Sequence, residues 1–366
     1  MKVDSLPILK WCIAALAVMT ILRLVSLPFS LDIFTLEAQY INWSKSLAWG
    51  YKSQPPMVAF WAWLSTSICG DTNNFCARLS SPLLHSGTAI VIYFIGKALY
   101  RRRDGVWSAI TYLTLPIVSI SSSFITPDPS LMFFWALALL MFIHAINQNK
   151  WKHWIVCGSA IGFGLLSKYT MVFFLPSILL YLISHKEHRH YLIKPKLWLS
   201  GLLALSIFMM NVLWNIEHQF AAFAYLQQVA PLAENLFNAE SFFKFFGSQF
   251  IIFGPLLFLI LLAVFLTIPE RLESSHAGLL LCFILPLIIS ILLISFVSNA
   301  AADWAMPIYI PATVLVSHWL LAHRRYRWIL YCSLGINLAF FVLFHFYSIS
   351  NKVHISQLVE FILFSR

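Results

Sequence analysis

The sequence predicts an all-α polytopic membrane protein: a bundle of about 11 transmembrane helices, with an external loop of interfacial helices after the first span. Of the 366 residues, 60% are hydrophobic and only 10% are charged. So few charged side chains cannot cover the surface of a soluble domain of this length. In hydrocarbon each backbone polar group must be satisfied within its own segment, so apolar runs of about 20 residues are expected to be helices.

The predicted spans follow the apolar runs in chain order. Their centres lie close to Leu16, Ile90, Tyr112, Leu137, Gly162, Ser177, Ala204, Phe258, Leu285, Val314 and Leu334. No small-residue cleavage site follows the first run, so we expect it to be retained as a span. Residues 154–181 fit two short spans or one long tilted span, and Gly164, Lys168 and Pro176 favour a break in the middle. We expect residues 1–366 to form a single membrane domain without a C-terminal soluble domain.

The basic residues predict the orientation of the bundle. Threading the chain alternately from a cytoplasmic N-terminus places 16 of the 24 Lys and Arg residues inside, mainly in residues 101–104, 149–153, 185–196, 269–273 and 323–327. This excess agrees with the positive-inside rule. The net charge of +10 therefore indicates orientation in a membrane, not nucleic-acid binding. The histidine-rich residues 185–190 lie in one of these solvated basic loops, and we predict no metal site there.

An external loop, residues 29–80, follows the first span. Charged residues such as Asp32, Glu37 and Lys52 alternate with aromatic residues, a pattern that suits helices lying in the membrane interface. Simple membrane anchoring explains most of the aromatic residues. Cys69 and Cys76 also belong to this loop. An oxidising periplasm would allow them to form a disulfide, and two free thiols fit the spacing at least equally well.

Two further polar positions are predicted to share the external face. Asp128 stands between two prolines that fix its backbone, so it is either aimed at a ligand or caps the following helix. Lys168 lies within an apolar run, where an unpaired ammonium costs about 3 kcal/mol or more, so it should reach an anion or snorkel to the interface. Carboxylates beside such a cation suit group transfer from a lipid-linked phosphate. An acid deprotonates the acceptor hydroxyl, and the cation stabilises the leaving phosphate.

Six segments of the chain occur in the order found in one enzyme family: EAQYINWSKSLAWGYKSQPPMVAFWAWL, CARLSSPLL, ITPDPSLMFFWALAL, GLLSKYTMVFFLP, VLWNIEHQFAAF and ADWAMPIYIP. They resemble signature segments of the bacterial GT-C glycosyltransferases of family 39. Ordered segments are more specific than any single motif. The resemblance implies the protein-mannosyltransferase and lipid A aminoarabinose-transferase superfamily, whose members use polyprenyl-phosphate sugars at the external face. It implies an enzyme of the bacterial inner membrane whose active site faces the periplasm. Such an enzyme would carry out an inverting transfer from an undecaprenyl-phosphate donor to a lipid, glycan or protein acceptor, and membrane lipids would be further partners.

The resemblance also implies roles for individual residues. Glu37 and Asp128 match acids of the family and are predicted to be catalytic. Lys52, Arg78 and Lys168 match basic positions expected near the donor phosphate. The residues expected to line the substrate cavity are Tyr40, Gln54, Tyr169, Asn215, His218 and Trp304.

One departure from the family pattern concerns Leu36, which stands where the loop of these enzymes usually has an aspartate base. Glu37 or Asp32 is a candidate replacement, and Asp32 is one helical turn away if the segment is helical. Alternatively Asp128 is the base, or the chain binds lipid without catalysis. A divalent cation between Asp128 and a loop carboxylate is a further option, which no ligand spacing supports.

A transporter for a lipid-linked sugar is the rival interpretation from another class. It predicts polar residues spread through the bilayer midplane. Most of the apolar runs lack such residues, and the acids are concentrated on one predicted face. The sequence therefore favours a transferase.

Overall fold

A computed structural model of the chain describes residues 5–29, 31–222, 224–225, 238–266 and 275–350, and the single residues 357, 359 and 362. Within these ranges there are α-helices and short 3-10 segments but no strand, which confirms the predicted all-α class. The α-helices are α1 (Ser5–Ser26), α2 (Thr35–Ser44), α3 (Met57–Cys69), α4 (Asn74–Arg78), α5 (Ser80–Leu99), α6 (Arg102–Thr114), α7 (Pro116–Ser121), α8 (Asp128–Gln148), α9 (Trp151–Ser167), α10 (Phe174–Ser184), α11 (Pro195–Glu217), α12 (Ala239–Phe253), α13 (Pro255–Phe265), α14 (Ser275–Cys282), α15 (Leu285–Val297), α16 (Tyr309–Ala322) and α17 (Arg327–Ser350). The 3-10 segments are Leu27–Phe29, Tyr169–Phe173, Arg189–Ile193, Ala302–Ile308 and Arg324–Tyr326.

Helices lie at all the predicted span centres. Seven helical stretches in the described part of the chain are long and apolar enough to cross a membrane: Cys12–Phe29, Asn74–Leu99, Asp128–Gln148, Pro195–Glu217, His276–Val297, Ala302–Ala322 and Arg324–Phe346. An eighth is counted if α12 and α13 form one bent span. The predicted spans at Tyr112, Gly162 and Ser177 are shorter helices. The chain is a multi-pass membrane protein, as the sequence predicts.

Two interruptions of the helices have clear physical causes. The predicted break in residues 154–181 is confirmed, because α9 ends at Ser167 and Lys168 has an extended backbone before the next 3-10 turn. α12 and α13 meet at an angle of 116°. The joint is Gly254, whose φ of +90° lies in the region that favours glycine. The following Pro255 starts the new helix without needing a backbone donor.

The packing of α9 against α11 fixes the end of the bundle where Lys168 lies. Gly158 of α9 touches α11 so closely that a Cβ there would be 2.3 Å from the Ser200 carbonyl oxygen. Small residues commonly allow such close approach between membrane helices. The Ser200 hydroxyl then donates to the Trp154 carbonyl oxygen at 2.8 Å. Lys168 at the end of α9 is thereby held beside the second half of α11.

The outer surface of the bundle is apolar, as a membrane protein requires. Large exposed hydrophobic residues follow one another along α1 and α17, including Ile21, Val25, Val342 and Leu343. Contiguous apolar surface on this scale marks contact with lipid rather than with water. The core, by contrast, holds bulky buried side chains such as Trp135 of α8.

Candidate active site

The loop between α1 and α5 forms three short helices, α2, α3 and α4, at one end of the bundle, which we call the outer end. Cys69 at the end of α3 and Cys76 in α4 are joined by a disulfide, with Cα atoms 5.7 Å apart. The structure therefore selects the disulfide from the two alternatives. Tyr51 stacks on Trp43 with ring centroids 4.3 Å apart. Burial raises the pKa of Tyr51, so its hydroxyl remains a donor to nearby loop carbonyls.

Glu37 of α2 forms a fully buried ion pair with Arg78 at the end of α4. The Glu37 carboxylate accepts from Arg78 Nε at 2.8 Å and from a terminal guanidinium nitrogen at 2.5 Å. It also accepts from the backbone N–H of Ile125 at 2.8 Å and of Phe34 at 3.2 Å. Arg78 in turn donates to the carbonyl oxygens of Leu31 and Asp32. The pair thus ties the loop to the chain just before α8.

This geometry argues against the direct roles predicted for Glu37 and Arg78. Each oxygen of Glu37 already accepts two hydrogen bonds, so taking a proton from a substrate would break one of them inside the protein. Arg78 is fully buried beneath the Phe124 ring, 5.0 Å from its centroid. A donor phosphate would have to displace Glu37 to reach it. The arrangement is that of a clamp on the loop.

A second buried cluster joins two of the predicted residues and one that sequence reasoning missed. The Lys168 ammonium donates to Asp128 at 2.8 Å and to Asp303 at 2.6 Å. Asp128 lies in the first turn of α8, and Asp303 belongs to the 3-10 segment Ala302–Ile308. All three side chains are buried. Of the predicted alternatives, Lys168 therefore reaches anions rather than snorkelling, and Asp128 is aimed at Lys168.

Asp303 stands directly before Trp304 in the motif ADWAMP, from which only Trp304 was selected. The available signal was an acid within a motif already assigned to the outer end. Trp304 itself is partly buried against the core. The cluster brings together one ammonium and two carboxylates, so it carries one net negative charge.

Tyr169, the residue after Lys168, connects this cluster to α11 and to the loop. Its hydroxyl donates to Asn211 at 3.2 Å and accepts from Asn215 at 3.4 Å. Asn211 also donates to the carbonyl oxygen of Trp49 at 2.7 Å. The predicted residues Tyr169 and Asn215 therefore lie together beside Lys168, and Asn211 links them to the loop.

Several buried polar atoms near these residues have no hydrogen-bond partner among the residues that the structure describes: Ser53 Oγ, Thr126 Oγ1, Thr170 Oγ1 and Asn215 Oδ1. Thr126 is two residues before Asp128, and Thr170 is two residues after Lys168. An unpaired buried hydroxyl costs free energy that a bound polar molecule would recover. Such atoms suit the recognition of a hydroxyl-rich ligand.

The remaining predicted residues lie at varied positions. Tyr40 and Gln54 are buried within the loop, whereas Lys52 and His218 are exposed. His218 stacks on Trp214 at a centroid distance of 4.0 Å. The structure therefore does not bring Lys52 or His218 into direct contact with Lys168.

Leu36, which stands where the family usually has an aspartate, lies in apolar surroundings. It packs against a group of side chains that includes Tyr40, Val58 and Ile125. Asp32 is exposed. The helical turn that would have carried Asp32 to the level of Leu36 does not form, because α2 begins only at Thr35. Asp32 therefore does not lie one helical turn before Leu36, and Asp128 is the predicted acid that contacts Lys168.

A metal ion was one option for this site. Across the described ranges, no group of three or more His, Cys, Asp or Glu side chains is arranged to hold one. The carboxylate that shares the Lys168 ammonium with Asp128 belongs to Asp303, which lies outside the external loop.

The fold and the buried acid–lysine cluster at one end of the bundle define the class of protein, a polytopic membrane protein of the GT-C type. ArnT from Cupriavidus metallidurans, solved in complex with undecaprenyl phosphate, has a similar structure with a TM-score of 0.71. The match covers 96% of this chain and 73% of that one at 15% sequence identity. The predicted GT-C resemblance is thus confirmed.

Within this class, residues 53–214 match the family described as dolichyl-phosphate-mannose-protein mannosyltransferase. The lipid A galacturonosyltransferase RgtD of Rhizobium johnstonii is 31% identical over 304 residues, which cover 82% of this chain and 63% of that protein. An undecaprenyl phosphate-alpha-4-amino-4-deoxy-L-arabinose arabinosyl transferase of Erwinia tasmaniensis is 22% identical over 276 residues, 72% of this chain and 49% of the relative. The chain thus spans about half to two thirds of the length of these curated relatives.

Proposed function

We propose that the chain is a membrane glycosyltransferase that moves a sugar from a polyprenyl-phosphate donor to a hydroxyl group of lipid A or another lipid-linked glycan. The observation that carries this proposal is the buried Asp128–Lys168–Asp303 cluster within a GT-C fold. The names of the relatives support it, because they describe transferases that act on lipid A or use an undecaprenyl-phosphate sugar. We place the site at the periplasmic face of a bacterial inner membrane.

In the proposed reaction Lys168 changes partners. Before substrate binds, its ammonium is shared by two carboxylates. A donor phosphate competes for the ammonium and leaves one carboxylate free to accept a proton. The acceptor oxygen then forms a bond to the anomeric carbon as the bond from that carbon to the phosphate oxygen breaks. The hydroxyl proton passes to the carboxylate, and Lys168 stabilises the leaving phosphate.

We assign the base to Asp128. Pro127 and Pro129 fix the backbone on both sides of it, so the carboxylate keeps its place when Lys168 turns to the phosphate. Asp303 remains bonded to Lys168 while the lysine turns from Asp128 to the donor phosphate. The unpartnered hydroxyls of Thr126 and Thr170 form hydrogen bonds with hydroxyl groups of the sugar.

The remaining predicted residues have supporting roles in this proposal. Glu37 and Arg78 hold the external loop against residue 125. Lys52, exposed on the loop, meets the charged head of the donor from the outer side. Tyr40, Gln54, Tyr169, Asn215, His218 and Trp304 form or support the walls of the substrate site.

One observation favours a second candidate, a lipid-binding homologue without catalysis. Leu36 provides no proton acceptor at the position where the family has its aspartate. Such a protein would retain the donor lipid and leave the sugar in place. The transporter alternative receives less support, because three of the four buried acids in the described part of the chain, Glu37, Asp128 and Asp303, lie at one end of the bundle.

The deciding experiment compares glycolipids and envelope glycoproteins by mass spectrometry between a parent strain and a deletion strain. The deletion is complemented with wild type, with Asp128→Asn, or with Asp71→Asn, an exposed acid of the external loop. We expect one sugar to disappear from lipid A or a related glycolipid and to return with wild type and Asp71→Asn only. Unchanged glycans, despite confirmed expression in the parent, would favour the non-catalytic candidate. Restoration by Asp128→Asn would refute the assigned base.

A further inference from the structure

Arg23 is a buried cation that the proposed reaction does not use. It lies three residues before the end of α1 and is fully buried. An arginine this close to a helix end normally extends to the membrane surface, where its charge is solvated. Arg23 instead turns into the protein, so its charge must be stabilised there.

The neighbours of Arg23 satisfy only part of the guanidinium. One terminal nitrogen donates to the carbonyl oxygen of Leu113. That carbonyl lies at the end of α6, before Pro116 starts α7. Nε and the other terminal nitrogen of Arg23 have no hydrogen-bond partner, and none of the described carboxylates forms an ion pair with it. An uncompensated buried charge of this kind is costly.

Other polar groups in this region have partners of their own, and His345 Nδ1 of α17 donates to the Phe341 carbonyl oxygen at 2.9 Å. His85 pairs with the Tyr112 hydroxyl at 2.8 Å and with the Ser121 hydroxyl at 3.1 Å. On the side of α17, the Phe341 ring covers the guanidinium, with its centroid 5.7 Å from the Arg23 Cζ atom. An aromatic face stabilises a cation but accepts none of its N–H groups as an oxygen would.

The surroundings of Arg23 indicate where a missing anion would come from. α1 and α17 both pack on α6, and both present apolar surface to lipid, Ile21 and Val25 on α1 and Val342 and Leu343 on α17. Arg23 also lies in the second half of the apolar stretch Cys12–Phe29, which leads to the outer end of the bundle. The contacts of Lys168, in contrast, are with α8 and the 302–308 segment.

We propose that Arg23 binds the phosphate group of a membrane lipid that enters between α1 and α17 at the outer end of the bundle. A guanidinium presents pairs of parallel N–H donors, here called a fork, that match two phosphate oxygens. In Arg23 the donors without a partner are Nε and one terminal nitrogen. Phe341, which is itself buried, covers the guanidinium on the α17 side and moves aside when the lipid binds. The shared chemistry is a lipid phosphate, either a phospholipid or a polyprenyl phosphate.

The test is native mass spectrometry of the delipidated full chain with phosphatidylglycerol, undecaprenyl phosphate, or phosphate-free diacylglycerol. Wild type is expected to retain one phosphate lipid at the Arg23 site in preference to diacylglycerol, in addition to any undecaprenyl phosphate held at the Lys168 cluster. Arg23→Gln should weaken that retention at least about tenfold. Arg101→Gln removes an exposed charge at the opposite end and should change nothing.

Arg23→Lys serves as a second variant if Arg23→Gln does not fold, because it keeps the charge but loses the fork. Reduced preference for phosphate lipids in either folded variant supports the site. A larger loss of undecaprenyl phosphate than of phosphatidylglycerol in Arg23→Gln identifies the lipid as a polyprenyl carrier, and equal losses identify a general phospholipid site. If both variants fold and keep the wild-type preference, Arg23 only caps the Leu113 carbonyl and the proposal is wrong.

Discussion

At the scale of single residues, the candidate site is a balance of three charges. Lys168 and Asp128 are recognisable in the sequence because each breaks a local rule, a lysine in an apolar run and an acid between two prolines. Asp303 breaks no such rule, and it meets Lys168 across a separation of 135 residues. Sequence patterns report local conflicts well, whereas contacts over such a distance depend on the packing of the whole bundle.

The charge balance leads to a prediction for the cluster. Asp128→Asn removes the proposed base and should lower transfer by about 10²-fold or more. Asp303→Asn leaves the base but loosens Lys168, so a smaller loss of about tenfold is expected, mainly in kcat. The rate of formation of the glycolipid identified in the deletion comparison measures both. Equal losses for the two variants would mean that neither carboxylate has the base role alone.

Glu37 offers a second test at this scale, because a clamp and a catalytic base respond differently to substitution. Glu37→Gln leaves Arg78 buried without its counter-charge, which should lower the free energy of unfolding by about 3–5 kcal/mol. The double replacement of Glu37 and Arg78 by Leu and Met removes both charges and should cost less than the sum of the single changes. Thermal unfolding in detergent measures both effects. A Glu37→Gln protein with unchanged stability but no transfer would restore the catalytic role first predicted for Glu37.

At the scale of helices, the sequence predicted where the helices lie but not the angle at which α12 and α13 meet. Hydrophobic runs predicted a helix at every centre, because each buried or lipid-facing segment must satisfy its own backbone. Whether such a helix crosses the membrane depends on its neighbours. α12 and α13 together have the composition of a span, yet they bend by 116° at Gly254. Composition does not reveal that bend, and a single glycine before a proline is a weak signal on its own.

The bend at Gly254 can be tested against a matched glycine in α12. A Cβ at position 254 would require a strained positive φ and would lie 2.7 Å from Asn337 Oδ1 on α17. Gly254→Ala should therefore lower the free energy of unfolding by about 1–3 kcal/mol. Gly247→Ala places its Cβ in open space within a helix and should be neutral or stabilising by up to about 1 kcal/mol. Similar melting temperatures for the two variants would contradict the bend as described.

At the scale of the whole molecule, the two ends of the bundle differ in chemistry. The outer end carries the disulfide, the Glu37–Arg78 clamp and the acid–lysine cluster. The opposite end carries basic loops, and there Lys196 of α11 donates to the Asn149 carbonyl at 2.6 Å. This asymmetry is what the positive-inside rule requires if the outer end faces the periplasm. The sequence could predict this difference between the two ends, because the positions of the basic residues between the apolar runs decide which end each of them occupies.

The disulfide provides a direct test of this orientation, because Cys69 and Cys76 are oxidised only if the outer end faces an oxidising compartment. Cells are quenched with acid, and the denatured protein is alkylated before and after reduction. Of its six cysteines, the four free ones, Cys12, Cys157, Cys282 and Cys332, should react before reduction and all six afterwards. A strain without periplasmic disulfide oxidation should give six reactive thiols throughout. Six reactive thiols in the parent strain would place the outer end in the cytoplasm, and the proposed periplasmic transfer would then fail with it.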